Sequence, residues 1–178
     1  MQPESHHGVL VSIARKGILI IGAAGIGKSS LALELLYQGH QLIADDSIDV
    51  THIDGQVIGR CPPLLENVLH TRELGLIPIT AVFGKTAWQQ KHTIDYVVKL
   101  QTELPAQIYF SQREKQYPIA NMQLPLLILN IHNPASLSHR LLCWLQMQSQ
   151  QSDTETKFKQ RQHHMMKDRT QHILREIL

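Results

Sequence analysis

Cysteine is scarce in this chain. Cys61 and Cys143 are the only two, too few for the disulfide framework of a small secreted domain. No apolar run approaches the roughly 20 residues that a membrane-spanning helix requires. Residues 1–7 are polar and lack the apolar centre of a secretory signal. The cytoplasm is therefore the expected location, with no membrane partner. An excess of one charge is missing too, because 17 Lys and Arg against 15 Asp and Glu leave a formal charge of only +2. Nucleic-acid binding usually needs a concentrated basic face, so no nucleic-acid partner is expected. Internal repeats are also absent. What remains is 178 residues, 43% hydrophobic and 18% charged, which is ordinary for a globular chain able to bury a real core.

The first sixty residues punctuate themselves clearly. Residues 9–14 read as a strand, 15–17 as a tight turn, and 18–21 as a buried strand of β-branched and leucine residues. A helix is expected over 29–38, where Leu31 and Leu35 stand at i and i+4, and Gly39 supplies its stop. Residues 41–44 read as a strand closed by Asp45-Asp46. A hairpin over 47–60 turns at Asp54-Gly55, a strong tight-turn pair. Beyond Pro62-Pro63 we expect a short helix over 64–70, strands over 77–83, 94–100 and 124–131, and an amphipathic helix over 136–147. These patterns predict an α/β fold, a mixed sheet carrying a phosphate loop with flanking helices.

The phosphate loop is Gly22-Ala23-Ala24-Gly25-Ile26-Gly27-Lys28-Ser29, a Gly-x-x-x-x-Gly-Lys-Ser motif between a buried strand and a helix start. Glycines let the backbone wrap phosphate oxygens with its amides pointing inward. The helix N-terminus adds partial positive charge. Lys28 adds a full charge at the end of what reads as an exposed loop, and Ser29 is placed to ligate Mg2+. Nucleotide binding follows from motif and context together.

Asp45-Asp46 ends the strand after the phosphate-loop helix. Strands of open α/β sheets bring their carboxyl ends near bound ligands. One carboxylate suits Mg2+ through water, and the other suits the proton of an attacking hydroxyl. Adjacent strand side chains point to opposite faces, so both serve one site only if the backbone bends there.

His7-Gly8-Val9-Leu10-Val11, the phosphate loop, Gly39-His40-Gln41-Leu42-Ile43-Ala44-Asp45-Asp46 and Arg72-Glu73-Leu74-Gly75-Leu76 occur here in one order. In that order they resemble the C-terminal catalytic domain of the HPr kinase/phosphorylase family, over about residues 6–145. The short bacterial versions, which lack the separate N-terminal domain, look most similar. The resemblance implies an ATP-dependent protein serine kinase that phosphorylates an HPr-like phosphocarrier in the regulation of carbohydrate metabolism. It also implies a homo-oligomer, the hexamer of the family. By resemblance His7 falls on the active-site histidine, Lys28 and Ser29 on nucleotide and Mg2+ ligands, and Asp46 on the catalytic acid/base. Asp45 then joins Ser29 as a metal ligand, and Arg72 joins His7 in stabilising phosphate charge.

Two positions depart from the family pattern. His70 stands where the signature carries a Mg2+-binding Glu, and Mg2+ prefers hard oxygen to imidazole. Ile128 stands where short versions tend to carry Arg. Two alternatives therefore stay open: a non-catalytic nucleotide sensor, and a kinase of a small-molecule hydroxyl. Residues 1–147 are expected to form the catalytic domain. Residues 148–178, rich in Gln, His and charge, are expected to form a polar helical tail, with a linker at 149–154 and a helix over 155–178.

Overall fold

The structure, a computed structural model, describes residues 3–103, 115–149, 157, 158, 160 and 161. The chain divides into two compact units, Met1–Ser138 and His139–Leu178. In the first unit, β1 (Glu4–Ile13) and β2 (Lys16–Ile21) form a hairpin and lead through the glycine loop into α1 (Lys28–Tyr37). Next come β3 (Gln41–Ile53), β4 (Gln56–Arg60), β5 (Val68–Thr71), β6 (Gly75–Pro78) and the short α2 (Ile79–Phe83). Then follow β7 (Lys91–Thr93), β8 (Tyr96–Gln101), β9 (Gln116–Ile119) and β10 (Met122–Asn130), with α3 (Leu137–Ser149) beginning at the unit's end.

Among the described residues, eight strands make one mixed sheet in the order β7-β4-β3-β1-β2-β8-β10-β9, while β5 and β6 pair as a separate two-stranded hairpin. β8 is parallel to both β2 and β10, and the other pairings are antiparallel. The expected mixed α/β architecture is therefore what forms. The sheet curls back on itself. Only two residues separate edge strand β7 from β8, and Asp95 between them accepts Gly17 N–H at 2.8 Å while donating its own N–H to Gly17 O at 2.8 Å. The curl encloses an apolar core of Leu10, Leu19, Ile43, Ile48, Ile94 and Val97. Gly59 is required inside it, because a Cβ there would lie 3.1 Å from Ile48 Cγ2 and 3.1 Å from Ile94 Cδ1, and against Leu10 Cδ2. Packing at this density leaves no room for even one added carbon.

Several sequence expectations need correction. The β1–β2 turn is Ala14-Arg15, both left-handed at φ 48° and 64°, so Lys16 already belongs to β2. The strand expected to close at Asp45-Asp46 runs on to Ile53 without interruption. The helix expected over 64–70 is only a 3-10 turn at Pro63–Leu65, followed by strand β5. Leu69 there is buried while His70 is exposed, the alternation of a strand. The strand expected over 77–83 is β6 plus one turn of helix, α2, since Pro78 ends pairing and starts the helix. The linker and tail expected over 148–178 fall largely outside the described residues. No helix among the described residues is long and apolar enough to cross a membrane.

Candidate functional site

The sheet brings the C-terminal end of β2, the start of α1 and the middle of β3 to one place. Burial of Leu31, Ala32, Leu35 and Leu36 fixes α1 against the fold, so Gly27, its left-handed N-cap at φ 104°, faces the cleft. The expected loop-then-helix order is present, with one correction. Lys28 is buried rather than exposed, and its Nζ donates to Gly22 O and Ala23 O, each at 3.1 Å. Its ammonium therefore also ties the loop's two ends together.

β3 supplies the bend that the acid pair needs. Leu10 pairs with Ala44 but Val11 pairs with Leu42, so Ile43 is an extra residue bulging from the ladder. Trp88 Nε1 donates to the Ile43 carbonyl at 3.1 Å, which satisfies the bulged group. Three residues later Asp46 adopts a left-handed φ of 68°, which Asp tolerates better than most residues. Asp45 and Asp46 consequently border the same cleft, of about 730 Å3, together with His7, Lys28, Ser29, His70 and Arg72.

The two aspartates sit in different surroundings. Asp45 is buried; its Oδ1 accepts Ser29 Oγ–H at 3.0 Å, and its Oδ2 accepts the His70 backbone N–H at 2.8 Å. Burial pushes its carboxyl above the ordinary aspartate value, with these hydrogen bonds opposing the shift. Asp46 is exposed and pairs with His7, whose Nδ1 lies 2.8 Å from Asp46 O and 3.1 Å from Asp46 Oδ1. A carbonyl oxygen only accepts, so the proton sits on His7 Nδ1. Gly8 places this histidine, pairing with Asp46 across the β1–β3 ladder.

Above the loop lies the β5–β6 hairpin. Arg72, at its turn, rests on the phosphate loop: the guanidinium carbon is 3.0 Å from where a Cβ on Gly25 would stand. Gly25 is itself left-handed at φ 75°. The hairpin attaches to Asp45 through the His70 backbone amide, a contact without a sequence signal because main-chain donors carry no residue signature. Exposed Leu74 and Leu76 also border the cleft, and their isolation beside Gly75 was the one available signal. Glu66 turns away, accepting Gln90 Nε2 at 2.7 Å, whereas Glu73 borders the cleft. Ile128 packs against the apolar core.

The donor set suits a nucleoside triphosphate with a hard cation. Among the described residues no cluster of three His, Cys, Asp or Glu could hold a metal alone. A buried carboxylate bonded to a hydroxyl, at the mouth of a glycine loop, offers hard oxygens that would suit a Mg2+. The raised Asp45 carboxyl fits as well, because an arriving cation offsets the cost of its buried charge.

Comparison with known proteins points the same way. The model of the HPr serine kinase C-terminal domain matches residues 1–173. The HPr kinase/phosphorylase of Cupriavidus necator is 42% identical over 127 residues, covering 71% of this chain and 38% of that protein. Its counterpart in Ralstonia nicotianae is 48% identical over 95 residues, covering 53% of this chain and 29% of that one. The chain thus spans well under half the length of these curated relatives. Among solved structures, the Hpr(Ser) kinase/phosphatase from Coxiella burnetii superposes with a TM-score of 0.77 at 25% identity, covering 91% of this chain and 98% of that one.

Proposed function

The chain belongs to the HPr serine kinase C-terminal domain family, and from that premise we propose that it is an ATP-dependent protein kinase acting on a serine of an HPr-like phosphocarrier. One observation carries the reading: a phosphate loop, a buried carboxylate and an exposed carboxylate paired with a histidine all open on one cleft. Phosphoryl transfer asks a protein for positioning and charge stabilisation more than for covalent chemistry. The loop amides and Lys28 hold the β- and γ-phosphates, and Arg72 approaches from the hairpin side. Ser29 and Asp45 hold Mg2+, which supplies charge neutralisation at the phosphates when bound. Asp46 takes the proton of the serine hydroxyl as its oxygen bonds to the γ-phosphorus and ADP leaves. His7 Nδ1–H orients that carboxylate, and its Nε2 edge is left to face the transferring phosphate.

A sensor without transfer activity would need the nucleotide groups but no free base, and the exposure of Asp46 favours the kinase. The test supplies γ-labelled ATP, Mg2+ and HPr. Label on a serine of HPr is the expected result. Nucleotide binding without transfer to HPr would overturn the protein-kinase reading.

A further inference from the structure

At the far end of α1, about 15 Å from the phosphate loop at 1.5 Å per residue, lies a second cavity of about 320 Å3. This is the small end of the range that ligand pockets occupy, roughly 300–1,000 Å3. Leu36, Phe83 and Ala87 give it an apolar wall, and Ser12, Arg15 and His40 converge on it. None of these residues has a part in the nucleotide cleft.

The polar groups are unspent. The side chains of Arg15 and His40 make no hydrogen bond or ion pair among the described residues. Arg15 lies beside the cavity in the β1–β2 turn, with a left-handed backbone and an exposed side chain. Ser12 is buried, with Oγ 3.3 Å from His92 Nε2. His92 Nδ1 lies 2.7 Å from Thr93 O and must donate to it, so in the neutral ring Nε2 accepts from the Ser12 hydroxyl. The lone pairs of Ser12 Oγ then remain for a donor.

Charge selects the ligand. Arg15 brings one full positive charge and suits a carboxylate. Gly39 and His40 lie just past the C-terminal end of α1, where the carbonyls of Glu34, Leu35 and Leu36 already accept from the Gln38, Gly39 and His40 amides, so the helix dipole adds only a small bias toward a cation. Burial holds the His40 imidazole below its ordinary pKa, so it adds no second cation. A doubly charged phosphate would face a single arginine with no second cation beside it. We propose that this cavity binds a small α-amino acid with an apolar side chain. Its carboxylate meets Arg15, its ammonium meets Ser12 Oγ, and its side chain rests on Leu36, Phe83 and Ala87.

The experiment is an amide-resonance titration of the full chain with leucine, isovalerate, isoamylamine and inorganic phosphate. Leucine should shift the amides of residues 39–41 at millimolar concentration. Isoamylamine, which is leucine without its carboxylate, and isovalerate, which lacks the ammonium together with its carbon, should bind at least about tenfold more weakly. Arg15→Asn keeps a residue that tolerates the left-handed turn and should weaken leucine about tenfold, whereas Arg15→Lys should retain most of the affinity. Undisturbed amides at 39–41, phosphate or isovalerate binding as tightly as leucine, or an Arg15→Asn protein with unchanged affinity would each overturn the assignment.

Discussion

The buried carboxylate of Asp45 accepts the hydroxyl of Ser29 at 3.0 Å. That contact joins β3 to the first turn of α1, and the second carboxylate oxygen reaches the β5–β6 hairpin through His70 N–H. One side chain therefore links three of the elements that border the cleft. Its carboxyl is raised by burial above the ordinary 3.8, so the ionised form costs folding energy at neutral pH. For such a group the stabilising state is the protonated one, fully present below 3.8 and lost as pH rises through the folded value. Asp45→Asn keeps both hydrogen bonds, with its amide nitrogen donating to Ser29 Oγ. Without Mg2+ at pH 7 the variant should melt a few degrees higher, since about 1 kcal/mol is worth about 2–4 °C at this size. The gain should shrink in acid, and the Mg2+ required for nucleotide binding should rise. Thermal melts across pH, with and without Mg2+, read both effects.

Lys28→Ala removes a full charge from the phosphate site. Charge-assisted contacts are worth roughly 1.5–3 kcal/mol, so ATP affinity should fall about tenfold or more. Because Lys28 is buried and closes the loop onto Gly22 and Ala23, the free protein should also lose stability. Calorimetry giving equal affinity for both proteins would remove the nucleotide site.

Asp46→Asn should leave nucleotide binding nearly unchanged and lower transfer by on the order of 10²–10⁴, the usual contribution of a positioned acid or base. His7→Ala should lower transfer less, because it removes the orienting partner and leaves the carboxylate in place. Single-turnover rates on HPr distinguish the two. Equal rates for Asp46→Asn and the wild type would reduce the pair to a structural contact.

Gly25 and Arg72 form a pair that a double-mutant cycle can isolate. Gly25→Ala meets two penalties: a left-handed φ of 75° and a Cβ against the guanidinium. The first costs of order 1–3 kcal/mol. Arg72→Ala should relieve the steric part, so the double variant should bind ATP better than the sum of the single losses implies. Strict additivity would mean that Arg72 leaves the loop in solution.

Local signals made the nucleotide half of the site legible. Gly22 to Ser29 carries its spacing on its face, and the strand before it and helix after it follow from residue type. The acid pair was visible as residues but not as geometry, because the Ile43 bulge and the left-handed Asp46 arise from pairing with β1 and from Trp88, 45 residues away. The segment over 64–83 departs from its sequence pattern for a related reason. Leu69 is buried by elements distant in sequence, and alternation over four residues resembles one helical turn. Burial of Lys28 was likewise invisible, since the residue type usually signals exposure.

His70 tests how the metal site is built. By the sequence resemblance it falls where the family signature would carry a carboxylate; its side chain is exposed at the cleft, and its backbone amide already serves Asp45. A side-chain substitution leaves that amide bond intact. His70→Glu would set a second carboxylate beside buried Asp45, so like-charge repulsion should raise the Asp45 carboxyl further and lower stability without metal. With Mg2+ the same carboxylate becomes a hard oxygen ligand, and the loss should reverse. We expect a lower melting temperature without Mg2+, a larger rise on adding Mg2+ and ATP, and faster transfer at limiting Mg2+. Glu73 is the rival ligand, since it borders the cleft while Glu66 is engaged with Gln90. If Glu73 already serves the metal, Glu73→Gln should raise the Mg2+ requirement and His70→Glu should slow transfer by crowding charge. Transfer rate against Mg2+ concentration for wild type, His70→Glu and Glu73→Gln separates these cases. A response unchanged by either substitution would place the hairpin outside the metal site, and the alignment of residues 70–76 with the family signature would fail.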